Sequence, residues 1–142
     1  MLSIMKDNCT QFRYVAPDEL GNWWGAVGPF LMAAEARGGY MNEEQVLYEI
    51  MKGSFMLFVG MENDEPVGAA TVELLNVNGL KLGIVRQMGG NMFIVEAEFE
   101  NLLKYLKDLG IERVRMIGRR GWSRKLTRWG FKERYVTMEK DL

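Results

Sequence analysis

Between Arg113 and Arg134 the chain carries nine Lys or Arg residues against one acidic residue. The 112 residues before that segment carry 8 cations against 16 carboxylates, so a protein of net charge -1 is split into an acidic body and a basic end. The densest part, "GRRGWSRKLTRWGF" from Gly118 to Phe131, puts five cations and two tryptophans into fourteen positions. Chemistry of that kind binds anions: the phosphates of a cofactor, a nucleic-acid backbone, or the acidic face of a protein. Trp122, Leu126 and Trp129 recur at helical spacing and read as a core-facing stripe, which turns Arg124, Lys125 and Arg128 outward. Arg113 and Arg115 share one side of a short strand, opposite Val114 and Met116. Arg119 and Arg120 fall at that strand's carboxyl end, where ligands bind in open sheets.

Histidine is absent. That removes the commonest general base and the commonest metal ligand, so a Ser-His-Asp or Cys-His site is excluded and no metal is expected. Cys9 is the single cysteine, which rules out an internal disulfide and fits a reducing compartment. With no apolar run long enough for a bilayer, a cytoplasmic protein without membrane contact is expected. At 142 residues, 48% hydrophobic and 26% charged, the sequence reads as one folded domain spanning residues 1–142.

The elements that would position these groups follow from periodicity and punctuation. Phe12 to Val15 reads as a first strand. Asp18 can cap a helix through "ELGNWWGAVG" that Pro29 restarts or kinks, before Gly38-Gly39 stops it. Asn42 and Gln45 form a capping box ahead of "VLYEIMK", closed by Gly53. Three strands follow, "SFMLFVGM", "PVGAATVELL" and "LKLGIVRQM", the last two joined by an Asn78-Gly79 hairpin turn. Val95, Phe99, Leu102, Leu103, Leu106 and Leu109 form the apolar stripe of a long helix ended by Gly110. "ERVRMI" is a strand, Trp122 to Trp129 a short helix, and Phe131 to Met138 a last strand. The expected fold is α/β (α+β), a mixed sheet of about six strands flanked by helices, with the long helix as a crossover.

That order, with Gly130-Phe131 after a short helix and then "KERYVTMEKDL", resembles the GNAT superfamily of acetyl-CoA-dependent acyltransferases over essentially the whole chain. "RQMGG" and "IGRRGW" make it most similar to short GNAT-like proteins of tailed bacteriophages. The resemblance implies a pyrophosphate cradle of the form Q/R-x-x-G-x-G/A entering the long helix. Arg86, Gln87, Met88, Gly89, Gly90 and Asn91 match it, with Asn91 in place of Gly or Ala. Gly-Gly-Asn can still form an anion nest, or can simply turn the chain from strand to helix. Counting back from Gly110 instead puts the cradle at Gly90 to Val95, where the motif is missing. The resemblance also implies a strand carboxylate that removes the amine proton, for which Glu73 is the one candidate. The tyrosine that would protonate the leaving thiolate is replaced: aligned on Gly130-Phe131, the signature places Arg119, Trp122 and Leu126 at its Asn, Ala and Tyr positions. Trp23, Trp24 and Tyr40 are acceptor-side candidates, since the first helices shape that site in the superfamily.

Two functions remain open at this level. The altered motifs favour a non-catalytic or vestigial GNAT-fold protein, acting through protein-protein contacts in a phage virion or ring, with Arg113, Arg115, Arg119, Arg120, Arg124, Lys125 and Arg128 meeting a protein partner or a second copy. The alternative is an acetyl-CoA-dependent N-acyltransferase acting on an amine, since positioning an amine against a thioester carries much of that chemistry. Nucleic-acid binding by the basic segment is a third, lesser reading, with steep salt dependence as its mark.

Overall fold

The computed structural model describes residues 10–37, 39–90, 96–118 and 120–142. β1 (Thr10–Val15) leads through a short 3-10 turn, Pro17–Glu19, into α1 (Leu20–Glu35) and α2 (Glu43–Lys52). β2 (Phe55–Glu62), β3 (Glu65–Val77) and β4 (Leu80–Gly90) follow, then α3 (Glu96–Asp108), β5 (Arg113–Met116) and α4 (Arg120–Arg128). The strands form one sheet in the order β1-β2-β3-β4-β5. Neighbours are antiparallel from β1 to β4, whereas β5 joins β4 in parallel after the α3 crossover.

Each face of this sheet carries its own core. α1 and α2 cover one face, burying Val27, Leu31, Val46 and Ile50 against Val15, Leu57, Val59 and Ala69. On the other face, Phe99, Leu102 and Leu106 of α3 and Leu126 of α4 pack on Phe58, Ala70, Val72 and Val85. Alternating side chains feed both layers, which is why β2 reads as a continuous apolar run rather than an alternating one. Phe58 anchors the second layer, with edge-on rings from Phe12 at 5.8 Å and Tyr105 at 5.5 Å.

Local signals set several boundaries. The Asn42 side chain accepts from the Gln45 N–H at 2.9 Å while Gln45 Oε1 accepts from the Asn42 N–H at 2.8 Å, the expected capping box. The α2 helix ends at Gly53 in the left-handed conformation, φ 90°. Asn78-Gly79 turns β3 into β4, and the Gly79 N–H is taken by Asn76 Oδ1 at 2.9 Å.

Three sequence expectations are corrected. Pro29 does not divide α1, which runs unbroken to Glu35; Pro29 is exposed, so solvent can reach the carbonyl its ring leaves unbonded, while Val27, Gly28 and Leu31 are buried. Leu109 lies past the end of α3 and is exposed. Val95 lies outside the described residues. Among the described residues the sheet has five strands rather than about six, because the segment from Phe131 to Met138 pairs with no described strand. Tyr135, Val136 and Met138 are exposed there, although the Arg115 guanidinium covers the Tyr135 ring at 5.4 Å. Among the described residues no helix is long and apolar enough to cross a membrane.

Candidate functional site

β4 and β5 stay paired for only four residues, from Leu82↔Arg113 to Val85↔Met116. β4 then continues for five more residues, still held by β3 as far as Gly68↔Gly90. Its outer edge from Arg86 to Gly90 therefore runs on past the last β5 pair, at the carboxyl end of two parallel strands. A backbone edge of this kind offers hydrogen-bond donors and acceptors to an extended ligand.

That stretch begins at a bulge. Val72 faces Val85 and Thr71 faces Gln87, so Arg86 is an extra residue in β4. Arg86 therefore has no register partner, and both it and Gln87 reach residues on the α1/α2 side. Arg86 meets the Glu73 carboxylate at 3.5 Å and lies over the Phe55 ring at 5.9 Å. The catalytic candidate from sequence and the first cradle candidate are thus paired with each other. Glu73 is compensated by a guanidinium, and Arg86 is committed inside the chain.

Gln87 is 2% exposed and faces Thr71, which is fully buried; no other polar residues are buried among those described. The Thr71 hydroxyl accepts from the Gln87 backbone N–H at 3.2 Å and gives its own hydrogen to Gln87 Oε1. That fixes the carboxamide with its NH2 group outward, where it donates to Glu35 Oε1 at 2.6 Å and approaches Met41 Sδ at 3.7 Å. Glu35 Oε2 accepts from the Met41 N–H at 3.2 Å. Sequence reasoning missed Glu35, and it assigned Gln87 a cofactor role rather than this link. The available signal was a glutamine inside an otherwise apolar strand.

Gly89 and Gly90 lie in the strand rather than in a turn, since both pair with β3. Neither tolerates a side chain. A Cβ on Gly89 would strike the Phe30 carbonyl of α1, and one on Gly90 would lie 2.6 Å from Gly68 Cα. Gly90 also has φ 80°, a left-handed conformation that favours glycine. Asn91 lies outside the described residues, as does Arg119. The cradle residues from Arg86 to Gly90 thus line the open edge of β4 as a strand.

The remaining candidates are dispersed. Trp23 packs partly buried under the Arg13 guanidinium at 5.6 Å. Trp24 lies on Gly28 and donates to Glu43 Oε2 at 3.2 Å, tying α1 to α2. Both tryptophans belong to the first core. Tyr40, 79% exposed, donates to Glu139 near the chain end, and that bond raises its pKa. The basic residues divide across the sheet. Val114 and Met116 enter the second core, which puts Arg113 and Arg115 on the α1/α2 side, whereas Arg124, Lys125 and Arg128 sit on α4 on the opposite side. Trp122 and Trp129 pack into the second core as expected, with the Lys125 ammonium over their rings at 5.8 Å and 5.4 Å. Leu126, at the signature's tyrosine position, is buried and has no proton to give.

This mixed sheet with helices on both faces is the fold seen in solved acetyltransferases, a GCN5-related N-acetyltransferase among them. No family model matches the sequence, and no curated protein matches it. Solved structures do match. An aminoglycoside acetyltransferase from an uncultured soil metagenomic sample superposes with a TM-score of 0.70 at 15% identity, over 96% of this chain and 98% of that one. A GCN5-related N-acetyltransferase from Ralstonia eutropha gives 0.67 at 14% identity, over 94% and 99%. A predicted acetyltransferase from Clostridium acetobutylicum, crystallised with acetyl-CoA, gives 0.65 at 9% identity, over 94% and 96%.

Proposed function

We propose that the chain is an acetyl-CoA-dependent N-acyltransferase acting on an amine. The observation that carries this reading is the end of the β4/β5 pairing at Val85 and Met116, which leaves residues 86–90 of β4 without a β5 partner. An extended arm bearing amides, as in acetyl-CoA, suits a bare strand edge, and Gly89-Gly90 keeps side chains away from it. The chemistry is a displacement at the thioester carbonyl. The amine nitrogen forms the new C–N bond, the C–S bond breaks, the sulfur takes a proton from solvent, and the nitrogen releases its surplus protons to solvent. Positioning supplies most of the acceleration, so the loss of the tyrosine at Leu126 and the pairing of Glu73 with Arg86 slow the reaction without abolishing it. This reading replaces the non-catalytic one drawn from the altered motifs. The altered signature positions fall in core packing at Trp122 and Leu126.

Calorimetric titration with acetyl-CoA tests it. Saturable binding with Kd on the order of micromolar to millimolar is expected, accompanied by amide shifts confined to residues 86–90 and their neighbours. No heat and no shifts at millimolar ligand would overturn the reading.

A second reading, a protein partner or second copy held through the basic residues, is favoured by one observation. Arg113, Arg115, Arg124, Lys125 and Arg128 have no carboxylate within 4.0 Å among the described residues. Self-association that weakens with salt in sedimentation runs would support it, and a monomer at both low and high salt would sink the second-copy form.

A further inference from the structure

The Thr71–Gln87–Glu35 chain is costly for what it visibly does. Thr71 and Gln87 are the two buried polar side chains among the described residues, on the face of the sheet whose core is made of Val27, Leu31, Leu57, Val59 and Ala69. Buried polar groups in an apolar layer raise the stakes of misfolding and need a compensating use. Holding the Met41 N–H alone would need only a neutral acceptor on α1. Instead the chain of dipoles is oriented, hydroxyl to carboxamide to carboxylate, and it ends on a negative charge. Glu35 is partly buried, it receives two N–H donors, and no Lys or Arg nitrogen among the described residues lies within 4.0 Å of it. The neighbouring cation, Arg86, is already paired with Glu73. A partly desolvated carboxylate without a cation is a site that gains from one.

Its place in the fold says which cation. Gln87 is the first paired residue of β4 after the bulge, on the stretch that runs past the last β5 pair, and its side chain holds Glu35 on the α1/α2 side of that stretch. Gly39 packs against the carboxylate so closely that a Cβ there would overlap Glu35 Oε2. The loop after α1 is therefore shaped around the charged group.

We infer that Glu35, oriented by Gln87 and Thr71, is the binding site for the ammonium group of a primary-amine acceptor. This deepens the acyl-transfer reading and rests on it for the word acceptor. Glu35 supplies the charge and touches the amine, while Gln87 and Thr71 are positioning residues that hold the carboxylate in one orientation.

The test uses butylammonium chloride as probe and 1-butanol as its neutral counterpart, at constant ionic strength, with isotope-labelled protein followed by NMR. The Gln87 side-chain NH2 pair and the Met41 amide are expected to shift saturably with butylammonium and not with butanol. Glu35→Gln should weaken the ammonium response about tenfold or more. Thr71→Val keeps the charge but frees the carboxamide, and should weaken binding severalfold, which serves if Glu35→Gln fails to fold. An absent shift, an equal response to butanol, or an ammonium affinity unchanged in both variants would each overturn the inference. Acetyl-CoA binding, measured on the same sample, separates the two claims. An ammonium response without acetyl-CoA binding sinks the transferase reading and leaves the amine site standing. Acetyl-CoA binding without an ammonium response does the reverse.

Discussion

Gln87 of β4 donates its carboxamide hydrogen to Glu35 at the end of α1 across 2.6 Å, and this bond is the direct polar link between the open strand edge and the first helix. Replacing Gln87 by Leu leaves the Thr71 hydroxyl without its acceptor in a dry layer and takes one donor from Glu35. The expected loss is about 1–3 kcal/mol in chemical denaturation. Gln87→Glu should cost more than Leu, since it sets a second carboxylate against Glu35. Equal stability of wild type and Leu variant would mean the chain of dipoles is dispensable.

The glycines divide into two groups with opposite outcomes. Gly89→Ala drives a Cβ into the Phe30 carbonyl, and Gly90→Ala adds a strained φ to a contact with Gly68. Each is expected to destabilise by about 1–3 kcal/mol. Gly21 and Gly25 lie in α1 with nothing within 4 Å of an added Cβ. Alanine at either should stabilise by about 0.4–1 kcal/mol. Thermal melts of the four single variants check both signs at once.

The α2 helix depends on its first turn. Asn42→Ala removes the side-chain acceptor of the Gln45 N–H and opens the capping box. A loss of about 1 kcal/mol is expected in denaturant midpoints, and hydrogen exchange should rise first at the amides of Glu44 and Gln45.

Glu49 carries the pH prediction. The Ser54 hydroxyl hydrogen-bonds its carboxylate and lowers its pKa, with smaller help from Lys52 and Arg86. A carboxylate depressed in the folded state stabilises above its unfolded pKa, and that contribution is lost as pH falls through the folded value. Ser54→Ala should raise the Glu49 titration midpoint toward the ordinary carboxylate range in an NMR titration and flatten stability at acidic pH. A midpoint unmoved by the substitution would assign the shift to the cations instead.

What the sequence disclosed depended on how local the cause was. The Asn42–Gln45 box and the Asn78-Gly79 turn are complete within four residues, so their residues alone announce them. Helical spacing turns Arg124, Lys125 and Arg128 away from the tryptophan stripe, and alternation puts Arg113 and Arg115 on one side of their strand, yet the division of the two sets between two faces of the sheet needed the packing of Val114, Met116 and Leu126. The cradle was read as a turn because Gly-Gly signals one. The β3 partners Gly68 and Ala69, at least twenty positions away, hold those glycines in the ladder. Glu35 was silent for the same reason. A glutamate at the end of a helix looks solvated until residue 87 arrives beneath it.

The parallel seam between β4 and β5 also bears on how the molecule assembles. β2, β3 and β4 are joined by tight turns and can zip as neighbours, whereas β5 reaches β4 only after the 22-residue crossover 91–112 has been closed. Closing that loop costs chain entropy before four residue pairs repay any of it. The seam should therefore be late in folding and early in opening, a low-stability unit within a stable sheet. The strand that ends beside residues 86–90 and the last step of folding are then one piece of chain, and whatever binds along that edge also finishes the fold.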